Sequence, residues 1–319
     1  MTWLVTGGAG YIGAHVVRAL RDAGLTAVVY DNLSTGIPEF VPAGIAFEHG
    51  DILDRETLRE VMVRHGVTGV IHVAGYKFAG VSVERPLHTY TQNVTGTVTV
   101  LEVMAELGIT RIVFSSSAAV YGTPHTDLVT EATATTPESP YGESKLIGEW
   151  LLRDQAAAAG ITHVSLRYFN VVGSGEPGLW DASPHNLFPL VIGALRAGKT
   201  PRINGTDYNT PDGTCVRDYV HVADLAHSHV AAAQALEAGT ALQPVYNLGS
   251  GDGLSVKQIM DEMARVTGIA FDPVIGPRRA GDPDRIVADG TAAARDLDWK
   301  MRHTLAQMVE SAWSASPAA

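Results

Sequence analysis

The chain has 319 residues, 45% of them apolar and 18% charged, with a formal net charge of −11 and one cysteine. That length and apolar content suit one large α/β unit or two domains around a sizeable core. The acidic balance argues against a general nucleic-acid binder, which needs a basic face, and the lone Cys215 rules out an internal disulfide framework and fits a reducing compartment.

The first element is strand-like, "TWLVTGG", with no basic and apolar leader before it. No run of about 18 apolar residues follows that could span a bilayer, so a cytoplasmic protein without membrane attachment is expected. "YIGAHVVRALRDAG" reads as a helix and "TAVVYDN" as the second strand. "RETLREVMVRHG" is an amphipathic helix, "GVIHVAG" a buried strand, "VTGTVTVLEVMAELG" a helix and "RIVFSSS" a strand. "PYGESKLIGEWLLRDQAAAAG" is the next helix, with Ser139 suited to its N-cap, Pro140 to its first turn and Gly160 to its end. "THVSLRYFNVVG" reads as one further strand. Apolar strands alternating with helices predict a parallel sheet covered on both faces.

After about residue 173 the texture changes. "GSGEPGLWDASPHNLFP" and "PRINGTDYNTPDGT" are rich in Gly, Pro, Asp and Asn, the composition of loops. Helical patterns resume at "VADLAHSHVAAAQALEAG" and "SVKQIMDEMARVTG". The expected organisation is a cofactor domain over 1–172 and a smaller substrate domain over 173–319, with the segment around 216–250 returning to the first.

Three local patterns carry chemistry. "GGAGYIG" spaces Gly7, Gly10 and Gly13 three apart between a strand and a helix. Glycines there allow a tight turn and let a pyrophosphate approach the helix N-terminus. Asp31 ends the second strand, where a carboxylate can bind both ribose hydroxyls and repel a 2′-phosphate. No arginine lies in "DNLSTGIPEF", which favours NAD over NADP. "FSSSAAVYG" places serines at a strand end, where they serve as helix caps or hydrogen-bond a substrate oxygen. In "SPYGESK", Tyr141 and Lys145 are one helical turn apart. An ammonium beside a phenol favours the phenolate, so the two could transfer a proton; by spacing alone they could equally be a surface pair.

Together with "GDILD", "VIHVAGYKFAGVSVERP", "LRYFNVVG", "NLFP", "GTDYNTPDGTCVRDYVHVADLA", "YNLGSG" and "RRAGDP", these stretches resemble the extended short-chain dehydrogenase/reductases, nearest to the UDP-hexose 4-epimerases. The likeness runs through nearly the whole chain, and "RDYVHVADLA" is more specific than the glycine turn. It implies an α/β, Rossmann-type doubly wound sheet with a smaller mixed α/β C-terminal substrate domain. It also implies tightly bound NAD and inversion at C4 between UDP-glucose and UDP-galactose through a 4-keto intermediate.

Residue by residue, the resemblance assigns NAD contacts to Gly7, Gly10, Tyr11, Ile12 and Gly13. It adds the segment Asp31, Asn32, Leu33, Ser34, Thr35 and Gly36, then Asp51, Ile52, Val73, Ala74, Gly75, Lys77, Asn93, Ser115 and Phe169. Tyr141 would be the base and Ser117 would share the sugar 4-oxygen with it. Lys145 would bind the nicotinamide ribose and depress the Tyr141 pKa. Lys77, Asn170, Asn186, Leu187, Arg202, Ile203, Asn204, Arg217 and the stretch Arg279 to Asp282 would hold the substrate. Guanidinium groups match a diphosphate bidentately; taken singly, Arg217 or Arg279 reads as surface charge. A homodimer through helices flanking the sheet is also implied.

Other readings are weighed on the same residues. A sugar-nucleotide dehydratase needs an Asp-Glu pair after the strand-end serine, and Ala118 and Ala119 stand there, unable to act as acid or base. A non-catalytic NAD sensor on this fold would have no need of Ser117, Tyr141 and Lys145 together. His221, His227 and His229 invite a metal, but positions 227 and 229 diverge on a helix and no cysteine supports them, so no metal is expected. Three positions depart from the family pattern. Asn204 stands where a residue often packs on uracil, Val81 replaces a common acid, and Ile286 occupies a position linked to discrimination against N-acetylated sugars.

Overall fold

The computed structural model describes residues 1–279 and 282–317. Its strands are β1 (Thr2–Thr6), β2 (Thr26–Asp31), β3 (Ala46–His49), β4 (Gly69–His72), β5 (Arg111–Ser115), β6 (Thr162–Tyr168), β7 (Asn170–Val172), β8 (Arg202–Asn204), β9 (Val216–Arg217), β10 (Tyr219–His221), β11 (Val245–Leu248), β12 (Leu254–Ser255), β13 (Val274–Gly276) and β14 (Arg285–Ile286). Seven of them form one sheet in the order β3-β2-β1-β4-β5-β6-β11, with every neighbouring pair parallel. The strand order reverses between β1 and β4, and a doubly wound sheet binds its ligand at that switch point.

Alternation along the strands feeds both faces. Trp3, Val5, Ala27 and Val29 pack beneath the helices Tyr11–Asp22 and Val222–Ala238, through Val16, Val17, Leu20, Leu225 and Ala233. Leu4, Val28 and Tyr30 point the other way, onto the helices Arg55–Arg64 and Gly96–Leu107. Period-two burial on both faces is why these strands read as continuous apolar runs.

A third core gathers the helices Leu187–Arg196, Val256–Thr267 and Leu305–Ala315 around Ile203 and Tyr219. Small sheets surround it: β7 beside β10, β8 beside β13, and β9 between β12 and β14. Trp299, Ala293 and Leu297, late in the chain, pack back into the first core.

The structure departs from the sequence reading in three places. The run "THVSLRYFNVVG" is two strands, broken at Phe169, because β7 leaves β6 to pair with β10. Phe169 turns into a cluster with Val120, Tyr121 and Leu146. β3 carries no buried alternation, since three of its four residues are exposed. Two short helices, Ala79–Glu84 and Pro86–Tyr90, and a π-turn over Thr91–Thr95 occupy a stretch with no clear helical pattern.

Candidate functional site

Because all seven strands run parallel, Thr6, Asp31, His72, Ser115, Tyr168 and Leu248 end along one edge of the sheet. The glycine turn sits there. Gly7 takes φ +71°, and a Cβ on Gly13 would lie 2.1 Å from the Gly7 carbonyl oxygen, so helix and strand meet only because position 13 is glycine. Gly10 caps the helix Tyr11–Asp22 and has no side chain to satisfy its first amides. Those donors suit an anion.

Asp31 shapes the same turn. Its carboxylate accepts from the Ala9 amide at 3.0 Å and the Leu33 amide at 2.8 Å. Burial raises its carboxyl, and those two bonds oppose the rise. Gly36 lies against it, where a Cβ would come 2.7 Å from Oδ1. Asn32 donates to Asp51 at 2.9 Å, while Ser34 and Thr35 are exposed. Ile52 points into the core against Gly96, so its backbone is the part that can face a ligand. Tyr11 is buried and its hydroxyl donates to the Gly173 carbonyl at 2.6 Å, closing the turn onto the C-terminal half of the chain.

Across the switch point, Ala74 packs on Gly7. Asn93, from the π-turn, accepts from the Tyr76 amide at 2.6 Å and donates to the Ser144 hydroxyl at 2.8 Å. Single π-turns inside helices recur at functional sites, because the extra residue redirects one side chain. Asn93 ties the β4 loop, through Gly75 and Tyr76, to the helix Pro140–Ala159.

That helix begins as its sequence predicts. Ser139 accepts from the Gly142 amide at 3.2 Å, Pro140 opens the first turn and Gly160 closes the helix at φ +68°. Ser82 accepts the Tyr141 amide at 3.1 Å, a second fixing point that the sequence did not flag. Tyr141 is 9% exposed; burial raises its phenol and the Ser117 hydroxyl opposes that rise. Ser117 caps the short helix Ala118–Tyr121 by accepting from Ala119 at 3.1 Å. It therefore fills the capping role read for a strand-end serine and also faces the Tyr141 phenol.

Lys145 is 5% exposed and donates to the Ser115 carbonyl at 2.9 Å. Its ammonium lies 5.9 Å from the centre of the Tyr141 ring. Burial pulls it down to about 8, against the Glu149 carboxylate, which holds it up. Loss of water dominates at the phenol, and the ammonium is aimed at the Ser115 carbonyl.

Around these groups stand histidines that the sequence offered only as metal ligands. The Ser115 hydroxyl meets His229 Nε2 at 3.0 Å, and His229 Nδ1 meets the Leu225 carbonyl at 2.9 Å. His227 is exposed and His221 stacks on His303 at 3.8 Å, so the three histidines of "HVADLAHSH" go to three different places. Among the described residues no group of three or more His, Cys, Asp or Glu could hold a metal ion.

The remaining proposed contacts lie beyond the strand ends. Asn170 begins β7 and Phe169 is buried beside Val120. Asn186 precedes the helix Leu187–Arg196 without capping it; its amide donates to Asp181 at 2.6 Å, and Lys77 approaches the same carboxylate at 3.8 Å. Asp181 was not singled out in the sequence. Arg217 donates to Asp282 at 2.5 Å and to the Pro283 carbonyl at 2.7 Å, and Tyr208 donates to the other oxygen of Asp282 at 3.0 Å. Arg279 is exposed, as is Arg202; Asn204 is half-buried at the end of β8, and Ile203 turns into the third core. Val81 is half-buried in the helix Ala79–Glu84, and Ile286 packs on the cluster of Val120, Tyr121 and Phe169. Ala280 and Gly281, within the expected Arg279 to Asp282 stretch, lie outside the described residues.

The profile of the NAD dependent epimerase/dehydratase family matches residues 3–249. A UDP-glucose 4-epimerase of Azospirillum brasilense is 43% identical over 304 residues, spanning 94% of this chain and 87% of that protein. One from Corynebacterium glutamicum is 41% identical over 321 residues, spanning 100% of this chain and 96% of that one. The crystal structure of a UDP-glucose 4-epimerase from Brucella ovis in complex with NAD has a TM-score of 0.93 and 40% identity, covering 98% of this chain and 97% of that chain.

Proposed function

This chain belongs to the NAD dependent epimerase/dehydratase family, and from that premise we propose that it is an isomerase that interconverts UDP-glucose and UDP-galactose by inversion at C4. The observation that carries the reading is the meeting of Ser117, Tyr141 and Lys145 at the C-terminal edge of the sheet, with Ala118 and Ala119 where a dehydratase needs acids.

The residues present fit NAD. The uncapped amides after Gly10 suit a pyrophosphate, and the Asp31 carboxylate suits a ribose diol and repels a 2′-phosphate. Bound there, NAD supplies a hydride acceptor that becomes the donor for the return. The chain's own residues do the rest. Tyr141 acts as the phenolate, the form that the Lys145 ammonium favours: it takes the proton of the sugar 4-hydroxyl at its phenolic oxygen and gives it back when the hydride returns. Ser117 hydrogen-bonds the same sugar oxygen. Lys145 holds a positive charge one turn away. Arg217 and Arg279 grip the diphosphate, leaving the 4-keto sugar free to present its other face.

Residues 1–172 form the cofactor side and 173–319 the substrate side in this reading, with 216–250 returning to the main sheet. The chain acts in the cytoplasm, in keeping with its single cysteine; no helix among the described residues is long and apolar enough to cross a membrane. It pairs as a homodimer through the helices Gly96–Leu107 and Pro140–Ala159. Between them lies a cleft of ≈ 790 Å³ lined by Val98, Leu101, Leu151 and Ala158, and Trp150 is 47% exposed on the second helix.

The test is conversion of UDP-galactose to UDP-glucose by purified protein without added oxidant, run beside UDP-N-acetylgalactosamine. Ile286 is intermediate in size, so a sizeable kcat/KM for the N-acetylated sugar would extend the substrate range and leave the reaction unchanged. Intact NAD binding with no turnover of any UDP-sugar would turn the reading into that of a sensor.

A further inference from the structure

Tyr141, Lys145 and Glu149 follow one another at intervals of four along the helix Pro140–Ala159, so they share one face. The first two belong to the proposed reaction and the third does not. Glu149 is 6% exposed, in a place where a lone carboxylate would be strongly disfavoured. It is held by a complete set of donors: Arg167 Nε at 2.8 Å, Arg167 Nη2 at 2.5 Å and the Ser116 hydroxyl at 2.5 Å. Arg167 is 5% exposed and donates its remaining arm to the Tyr121 hydroxyl at 2.8 Å, which donates to Asn247 at 2.7 Å. One buried network thus joins the helix, the end of β5, β6, the short helix after Ser117 and the strand β11.

Two features make this more than a structural clamp. Ser116 lies between Ser115, whose carbonyl receives Lys145, and Ser117, which faces Tyr141. The carboxylate therefore pins the strand end that positions both. The second feature is charge. Lys145 has lost its water and has Phe114 on one side, 5.1 Å away. The other titratable groups around this cluster are His72 on β4, His163 and Tyr168 on β6, Tyr121 on the short helix, and His229 on the helix Val222–Ala238. Burial holds each of these neutral, lowering the histidines and raising the tyrosines. The fixed charges are Glu149 and Arg167. Without the carboxylate, the ammonium would have a buried guanidinium and no counter-charge.

We propose that Glu149 is a positioning residue that keeps the Lys145 ammonium protonated and, through Ser116, fixes the strand end on which Lys145 and Ser117 are aligned. This deepens the epimerase reading and rests on it for the use made of Lys145. The charge argument itself is independent of turnover.

The test is a pH titration of the holoenzyme labelled at lysine Cε and followed by NMR. The chain has five lysines, so the Lys145 resonance is assigned by its loss in Lys145→Met. In Glu149→Gln the Lys145 midpoint falls by about one pH unit or more. In Ser116→Ala, which keeps the carboxylate, it moves by less than about half a unit. If Glu149→Gln strands Arg167 and fails to fold, Glu149→Gln/Arg167→Met removes both charges and still lowers the midpoint, because burial then acts unopposed. The alkaline limb of UDP-galactose turnover moves in the same direction as the resonance. An unmoved Lys145 midpoint in a folded Glu149 variant overturns the proposal, as does a shift in Ser116→Ala equal to that of Glu149→Gln. Absence of turnover in the wild type would overturn the function and leave the titration to be judged by itself.

Discussion

Lys145 Nζ donates to the Ser115 carbonyl at 2.9 Å, so the ammonium one turn below Tyr141 is tied to the end of β5. The two elements that carry the proposed reaction are joined at that bond. Replacing Lys145 with Met removes the charge and the tie together. Turnover should fall by at least about 100-fold, as when a general base loses its partner, and Lys145→Arg should not restore it, because a planar guanidinium does not fit a pocket shaped for a compact ammonium. Steady-state kinetics on both variants check this.

Gly13→Ala tests the glycine turn. The added Cβ would meet the Gly7 carbonyl oxygen, which is backbone and cannot rotate away. Overpacking of this kind costs about 1–3 kcal/mol. Bound nucleotide should be lost on gel filtration, with a lower Tm, whereas Gly24→Ala, placed where a Cβ meets nothing but φ is +75°, should lose stability and keep its nucleotide.

Buried histidines contribute to the acid limit of stability, His72 and His229 among them. Burial lowers His72 to about 3, helped by Lys145, and His229 to about 4, with the bond to the Leu225 carbonyl opposing. Unfolded, each takes up a proton near 6.5. Their stabilising effect is full above that value and is lost as the pH falls towards 4 and 3, by up to about 1.4 kcal/mol per unit for each. Urea midpoints should drop steeply between pH 6.5 and 5, and His229→Gln should flatten that slope.

Arg217 and Asp282 form an ion pair, which in the proposed reading the substrate diphosphate would share or break. Arg217→Ala should raise the KM for UDP-galactose by about 10-fold or more while kcat changes little, since the contact holds the diphosphate in ground and transition states alike. Competition by free UDP should weaken in parallel, which separates loss of the diphosphate grip from damage at the sugar.

The sheet was legible in the sequence wherever both faces of a strand are buried. Runs such as "TWLVT" and "RIVFS" read as strands, whereas the exposed edge strand "AFEH" left no trace. Ser139, Pro140 and Gly160 announced the helix of Tyr141 because caps are local. Asp181, Ser82 and the Glu149–Arg167 pair were silent because their meaning lies in partners distant in the chain: Ser82 and Tyr141 are 59 residues apart, Ser116 and Glu149 33. The burial of the Tyr141 phenol was silent for a similar reason. Spacing shows which charge is one turn away but not how much water is lost or where the ammonium points.

The most direct test is conversion of UDP-galactose to UDP-glucose, without added oxidant, by wild type and by Tyr141→Phe, each with its bound NAD measured after denaturation. Removing one phenolic oxygen should slow the reaction by several orders of magnitude, at least about 100-fold, and leave the nucleotide in place. Wild-type turnover in Tyr141→Phe, with NAD retained, would contradict the account.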